Sequence, residues 1–268
     1  METLVEYINP DFESQRKDKY KLSVLCEAHQ ISYLISEYFS NKIIGMRSYA
    51  LPNKEWQSDE FLKGNYAKSS VAFVNRRYTV LPMGVINQFN YKDALSMLHP
   101  VLPEDVIYAQ DIVPHQATIV QAVSPEVYRF FSHARMYAAP APILENLMRF
   151  NLQPGYAYIF VSIYKEYIEI TVLKDRQLRY LNTFVYETST DVLYFLLFVM
   201  QQLGLKAEEE EVFILRNTME DESVYENLRK YCKKITIIPF PKNIVIDKGL
   251  NNVPYQNYYN LLSLSLCE

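Results

Sequence analysis

Apolar and polar positions fall into one recurring pattern in this chain, and it is clearest between Tyr156 and Tyr186. After the Pro154-Gly155 break, Tyr156 to Ile163 is a continuous apolar and aromatic run, the signature of a strand buried on both faces. Tyr164-Lys165-Glu166 turns the chain. Tyr167 to Lys174 then sets Ile168, Ile170 and Val172 on one face against Glu169 and Thr171 on the other. Asp175-Arg176 makes a second turn, and Leu178 to Tyr186 alternates as a third strand. Thr188 to Asp191 supplies a polar helix entry, Val192 to Met200 has almost no polar face, and Gly204 marks the stop. The pattern predicts a three-strand meander capped by a buried helix.

The same pattern occurs earlier. Tyr20 to Glu27 reads as a first strand, Ala28-His29 as a turn, Gln30 to Tyr38 as an alternating second strand, and Lys42 to Leu51 as a third after Phe39-Ser40-Asn41. The first turns, at His29 and Lys165, and the second turns, at Ser40 and Asp175, are each separated by about half the chain length. A supersecondary unit recurring once at that spacing predicts two similar domains, over 20–138 and 139–268, with 1–19 as an arm. The arm is expected to be loosely fixed, with Leu4, Val5, Tyr7 and Ile8 available for an edge contact.

Between the meanders, Glu55 to Tyr66 is expected as a short helix. Val71 to Val74 and Tyr78 to Leu81 read as brief strands, and Val106 to Ile112 with Ala117 to Val123 as an inserted hairpin. Ser124-Pro125 opens a helix expected to reach Arg135, and Ala139 to Phe150 a further one. Beyond Gly204 the reading is a strand over Val212 to Leu215, a helix over Ser223 to Tyr231, a strand over Ile235 to Ile238 and a closing helix over Pro254 to Leu264. The second half is therefore β-β-β-α-β-α-β-α, an α/β arrangement with mixed sheets and helices on both faces.

Composition narrows the functional classes. With 27 basic and 31 acidic residues there is no field to attract nucleic acid. The 23 tyrosines suit half-buried strands first and binding surfaces second. Cys26, Cys232 and Cys267 have no paired spacing and read as reduced, packed thiols. No secretory leader pattern begins at Met1, and Val192 to Met200 is far short of the roughly 20 apolar residues that span a bilayer. A cytoplasmic location is the expectation.

A β-β-β-α-β-α-β unit used twice resembles the ribonuclease H-like superfamily in its duplicated form, the actin-like ATPase group. From about Tyr20 onward the chain resembles a bacterial domain-of-unknown-function family with that fold. The resemblance implies a nucleotide held by a turn between the first two strands of each domain, where glycine lets backbone N–H groups approach phosphate and Asp serves magnesium. At those turns this chain has Glu27, Ala28 and His29, and Tyr164, Lys165 and Glu166. Neither turn holds a Gly or an Asp. The paired glycines that would serve the adenosine side are missing too, since none of the six glycines adjoins another; Asp247-Lys248-Gly249 comes nearest, and reads better as a plain turn. No catalytic residue, metal ligand or cofactor is therefore expected, ATP with magnesium being disfavoured. The expectation is a catalytically silent protein that acts by binding a partner protein or a ligand.

Two alternatives stay open. One is an ATP-dependent enzyme or a nuclease with an unconventional site, for which Glu27 with Glu37, or Glu166 with Glu169, would be the carboxylates to examine. The other is a peptide-binding subunit of a membrane-associated assembly, as pilus-assembly members of the group suggest. His29, His99, His115 and His133 are too scattered for a zinc site. Cys26 beside His29 reads as a strand-end hydrophobe rather than a nucleophile. Ala207 to Glu211 reads as a solvated acidic turn, Arg76-Arg77 as a solubilising tip, and Tyr255, Tyr258, Tyr259 and Leu262 as a packing face.

Overall fold

The computed structural model describes residues 5–85, 90–217 and 223–267. The chain divides into two compact units, Met1–Leu147 with Pro241–Pro254 and Asn260–Glu268, and Met148–Phe240 with Tyr255–Tyr259. Each is built on a mixed sheet.

In the first unit β1 (Glu6–Ile8), β2 (Tyr20–Cys26), β3 (Gln30–Glu37), β4 (Lys42–Ala50) and β5 (Lys68–Phe73) are followed by an insertion. The insertion contains β6 (Tyr78–Pro82), helix α1 (Tyr91–Ser96), β7 (Val106–Ile112) and β8 (Ala117–Val123), and forms its own antiparallel sheet in the order β6-β8-β7. The chain then returns through α2 (Pro125–Phe130) to β9 (Arg135–Ala138) and α3 (Pro140–Leu147). The main sheet runs β1-β4-β3-β2-β5-β9, antiparallel through the meander and parallel from β2 to β5 to β9. One face carries Leu22, Val24, Ile31, Tyr33, Ile35, Val71 and Phe73 into a core completed by Trp56, Leu62 and Phe131.

In the second unit β10 (Ala157–Ile163), β11 (Tyr167–Lys174), β12 (Gln177–Val185), β13 (Glu211–Asn217) and β14 (Lys234–Ile237) pair in the order β12-β11-β10-β13-β14. Counted from the first strand of each meander, both main sheets read 3-2-1-4-5. Helices α4 (Ser189–Gln202) and α5 (Ser223–Tyr231) cover one face, burying Val192, Leu196, Val199, Val224 and Leu228 on Ile159, Val161, Ile168, Ile170 and Val172. Thr188 starts α4 with a capping box, its hydroxyl accepting from the Asp191 amide while the Asp191 carboxylate accepts from the Thr188 amide. Gly204, at φ +66°, ends it: Leu205 N donates to Met200 O and Gly204 N to Gln201 O, the bond pair of a Schellman stop.

After β14 the chain goes back to the first unit. The short strand β15 (Val245–Ile246) pairs in parallel with Lys42 and Ile43 of β4, and the closing helix α6 (Tyr259–Ser265) follows a 3-10 turn over Tyr255–Tyr258. Asn146 of α3 donates to Ser263 O of α6 at 2.9 Å, inside the first unit.

Several local expectations are corrected. Glu55 to Tyr66 is not a helix but two 3-10 turns, Glu55–Ser58 and Glu60–Leu62, broken where Asp59 takes an extended backbone and its carboxylate caps Phe61 N. The helix from Ser124 stops at Phe130, because Arg135 to Ala138 is claimed as a strand by β5 and by β7, whose Tyr108 hydroxyl donates to Met136 O and whose Gln110 accepts from Ala138 N. The next helix spans Pro140–Leu147 only. From Val5 onward the arm is not loose. Tyr7 and Ile8 pair with Met46 and Gly45, and a Cβ on Gly45 would lie 2.6 Å from Ile8 Cδ1. Leu4 lies outside the described residues. Arg77 is no free tip residue, since it forms an ion pair with the nearly buried Asp105 carboxylate. Tyr258, Tyr259 and Leu262 are buried, as a packing face requires, while Tyr255 is only half-buried.

Candidate functional site

The two turns singled out by sequence each lie in their own unit. In the first, β2 and β3 are joined by Glu27, Ala28 and His29. Glu27 N donates to Gln30 O at 2.8 Å and closes the hairpin, while Leu51 N donates to His29 O at 2.8 Å. Val74 N donates to Cys26 O, also at 2.8 Å. Ala28 and His29 are exposed and Glu27 is half-buried. The left-handed residues described are Asn41, Gln116, Asp175, Arg176 and four glycines, none of them at this turn, so its backbone never enters the region where glycine is favoured. Cys26, just before it, is buried, and burial pushes its thiol well above the ordinary range.

In the second turn Tyr164 directly follows β10 and is buried. Its amide donates to Tyr167 O at 2.9 Å, its carbonyl accepts from the Tyr186 hydroxyl at 2.6 Å, and its ring stacks on Tyr167 with centroids 4.4 Å apart. Burial pushes the Tyr186 hydroxyl up to about 12, so it stays protonated as a donor. Lys165 and Glu166 are exposed. The turn is thus filled by an aromatic side chain and tied at both backbone groups.

The carboxylates considered for a nuclease do not gather. Glu27 and Glu37 flank β3 in the first unit; Glu166 and Glu169 lie at the start of β11 in the second, Glu169 buried opposite Ser162 and Thr183. Among the described residues no group of three His, Cys, Asp or Glu side chains is placed to hold a metal ion. His99 Nε2 lies 2.9 Å from Tyr78 O, and His115 is buried at the tip of the β7–β8 hairpin. Within the acidic stretch, Glu209 and Glu211 pair with Lys206 and Lys234.

Two carboxylates that matter structurally were not apparent from spacing. Asp59, nearly buried, accepts from Tyr33 Oη at 2.8 Å, Tyr49 Oη at 2.6 Å and Arg47 Nη1 at 3.2 Å, besides the Phe61 amide. Burial alone would raise its pKa, but the hydrogen bonds from Tyr49, Phe61 and Tyr33 and the Arg47 charge outweigh it and hold the carboxyl below its ordinary value. Asp247 accepts from Tyr7 Oη at 2.6 Å, Asn9 Nδ2 at 2.9 Å, Lys42 Nζ at 3.1 Å and Gly249 N at 3.1 Å. Those bonds, Tyr7 foremost, hold its carboxyl well below the carboxylate range. The Asp247-Lys248-Gly249 segment is therefore a structural turn in the first unit. Gly249 is required by close approach: a Cβ there would fall 2.1 Å from Tyr7 Cε2.

A family model described as "Protein of unknown function (DUF3822)" matches residues 9–235, most of the chain. The chain belongs to this family. Among solved structures it is similar to a Bacteroides thetaiotaomicron protein described as having an actin-like ATPase fold and unknown function, at TM-score 0.78 and 16% identity, covering 96% of this chain and 99% of that one. It is also similar to a chain of the PilM-PilN type IV pilus biogenesis complex, at TM-score 0.57 and 11% identity over 92% and 97% of the two chains. The ethanolamine utilization protein EutJ from Carboxydothermus hydrogenoformans gives TM-score 0.50 and 10% identity over 97% and 92%. At these identities the likeness establishes the fold, which is that of the actin-like ATPases. No curated protein matches the chain in sequence. No described helix is long and apolar enough to cross a membrane.

Proposed function

We propose that this chain is a catalytically silent member of the actin-like ATPase fold that acts by binding a partner protein or peptide. The observation that carries this reading is the second turn. A phosphate-gripping loop needs bare backbone N–H groups at a position without a side chain. Here that position is Tyr164, buried, stacked on Tyr167 and committed at its amide and carbonyl. The first turn agrees, since Glu27, Ala28 and His29 form an ordinary hairpin with no left-handed residue. The similarity to a chain of a two-protein pilus complex favours protein binding over a small-molecule role.

Calorimetry of the full chain with ATP and magnesium, followed by a phosphate-release assay, tests the reading. Neither heat of binding nor phosphate release is expected. Release that disappears in Glu27→Gln or Glu166→Gln would overturn it and restore the enzymatic alternative.

A further inference from the structure

The sheet edges differ in how they are protected. An uncovered strand edge offers a row of N–H and C=O groups to any other strand, and proteins keep such edges short, charged, broken by proline or covered. In the first unit the outermost strands are β1, of three residues, and β15, of two, both beside β4, and β9, of four, bonded by Tyr108 and Gln110 of β7. In the insertion β6 ends on Pro82. The second sheet's far edge, β14, has four residues and begins with Lys234. Its other edge is β12, with nine residues and no Lys, Asp, Glu or Pro. The one irregularity is a bulge that leaves Arg179 between the paired residues Leu178 and Tyr180. From Tyr180 to Val185 the strand is regular and carries no charge.

A second surface adjoins this edge. Phe184 of β12 stacks on Phe195 of α4 at 4.7 Å, Phe195 meets Tyr194 edge to face at 5.3 Å, and Tyr194 stacks with Phe198 at 6.2 Å. Tyr194 is 61% exposed, Phe198 40% and Val185 48%. An aromatic train thus leads from the bare edge to the outer face of the helix.

We propose that β12 pairs antiparallel with β12 of a second copy of this chain, joining two five-stranded sheets into one. Cross-strand partners must lie on the same face of the sheet. A twofold axis at Asn182 satisfies this, setting Tyr180 opposite Phe184 and Leu181 opposite Thr183, with no like charges in register. The axis stands perpendicular to the sheet, so both α4 helices fall on the same face of the joined sheet, one on each side of the seam, and their aromatic faces are brought toward one another. A peptide strand added to the same edge would leave Tyr194 and Phe198 bare, which is why a second copy is the better occupant. This goes beyond the binding role proposed above and does not depend on it.

Light scattering or sedimentation equilibrium of the full chain at about 50 μM, a loading that populates any dimer of low-micromolar Kd, is expected to give twice the 31.5 kDa chain mass. Thr183→Lys places a charge on the seam and is expected to weaken the dimer about tenfold or more with an unchanged far-UV spectrum. Asn182→Cys puts a thiol on the axis and is expected to yield a covalent dimer on mild oxidation, while Cys26, Cys232 and Cys267, all buried, give none. The Cys variant also carries the test should the Lys variant misfold. A wild-type chain that stays monomeric overturns the proposal and leaves the edge to a foreign strand. A dimer that survives Thr183→Lys and fails to cross-link through Asn182→Cys overturns it as well, since it forms elsewhere.

Discussion

The two main sheets share a strand order and differ in how they are finished. The third strand of the first meander, β4, has neighbours on its outer side, β1 and β15, while the third strand of the second, β12, has none among the described residues. The covers differ as well. Over the first sheet lie short 3-10 turns anchored by a nearly buried carboxylate, Asp59, held by Tyr33, Tyr49 and Arg47; over the second lies α4, seated by a large apolar cluster. One topology is thus stabilised by two kinds of physics. A polar staple is directional and fails abruptly when one partner is removed, because the others are left buried and unpaired. Apolar burial is graded with the area lost.

The sharpest way to break this contrast is Asp59→Ala. It leaves the Tyr33 and Tyr49 hydroxyls without their acceptor, while Arg47 keeps its ion pair with Glu6, and is expected to cost about 3–5 kcal/mol in urea denaturation. Because the Asp59 carboxyl is held below its ordinary value, its contribution is complete above the unfolded-state pKa and is lost as pH falls through the folded one. The Asp59→Ala penalty should accordingly shrink in acid. Leu196→Ala, in the α4 cover, removes a fully buried side chain and is expected to cost about 3 kcal/mol. That penalty should not change with pH, and a pH-dependent one would erase the distinction. Gly249→Ala pushes the Tyr7 ring off Asp247 and is expected to cost about 1 kcal/mol, the worth of one hydrogen bond. The smallest effect is expected at His115. Burial lowers its pKa from 6.5, so the fold favours the neutral ring, and protonation below about pH 6.5 favours unfolding. His115→Phe should track the wild type above that pH and be relatively more stable below it.

Both meanders were legible in the sequence because alternation and short polar turns fix strands locally, and α4 was legible through its cap, its apolar run and Gly204. What escaped depends on distant partners. β9 looked like the tail of a helix because four residues carry little periodicity; only β5 and the side chains of Tyr108 and Gln110 make it a strand. Residues 55–66 have a helical spacing of apolar positions, but Asp59 is drawn into the sheet by Tyr33 and Tyr49 and breaks the run. The arm looked free because nothing near it in sequence shows that Gly45 and Gly249 leave room for Ile8 and Tyr7. At the turns, the missing Gly and Asp were apparent from composition, whereas the seating of Tyr164 under the Tyr186 hydroxyl was not.

The bonds from Tyr7, Asn9 and Lys42 to Asp247 also set an order of assembly. On the ribosome the first unit's meander emerges before the second sheet, yet β15 and the helix α6 that complete it are translated only after the whole of that second sheet. The nascent chain must hold an unfinished sheet until then, with the outer side of β4 lacking its last neighbour, and long-range closure of this kind slows folding. The sheet begun before the other is thus completed after it.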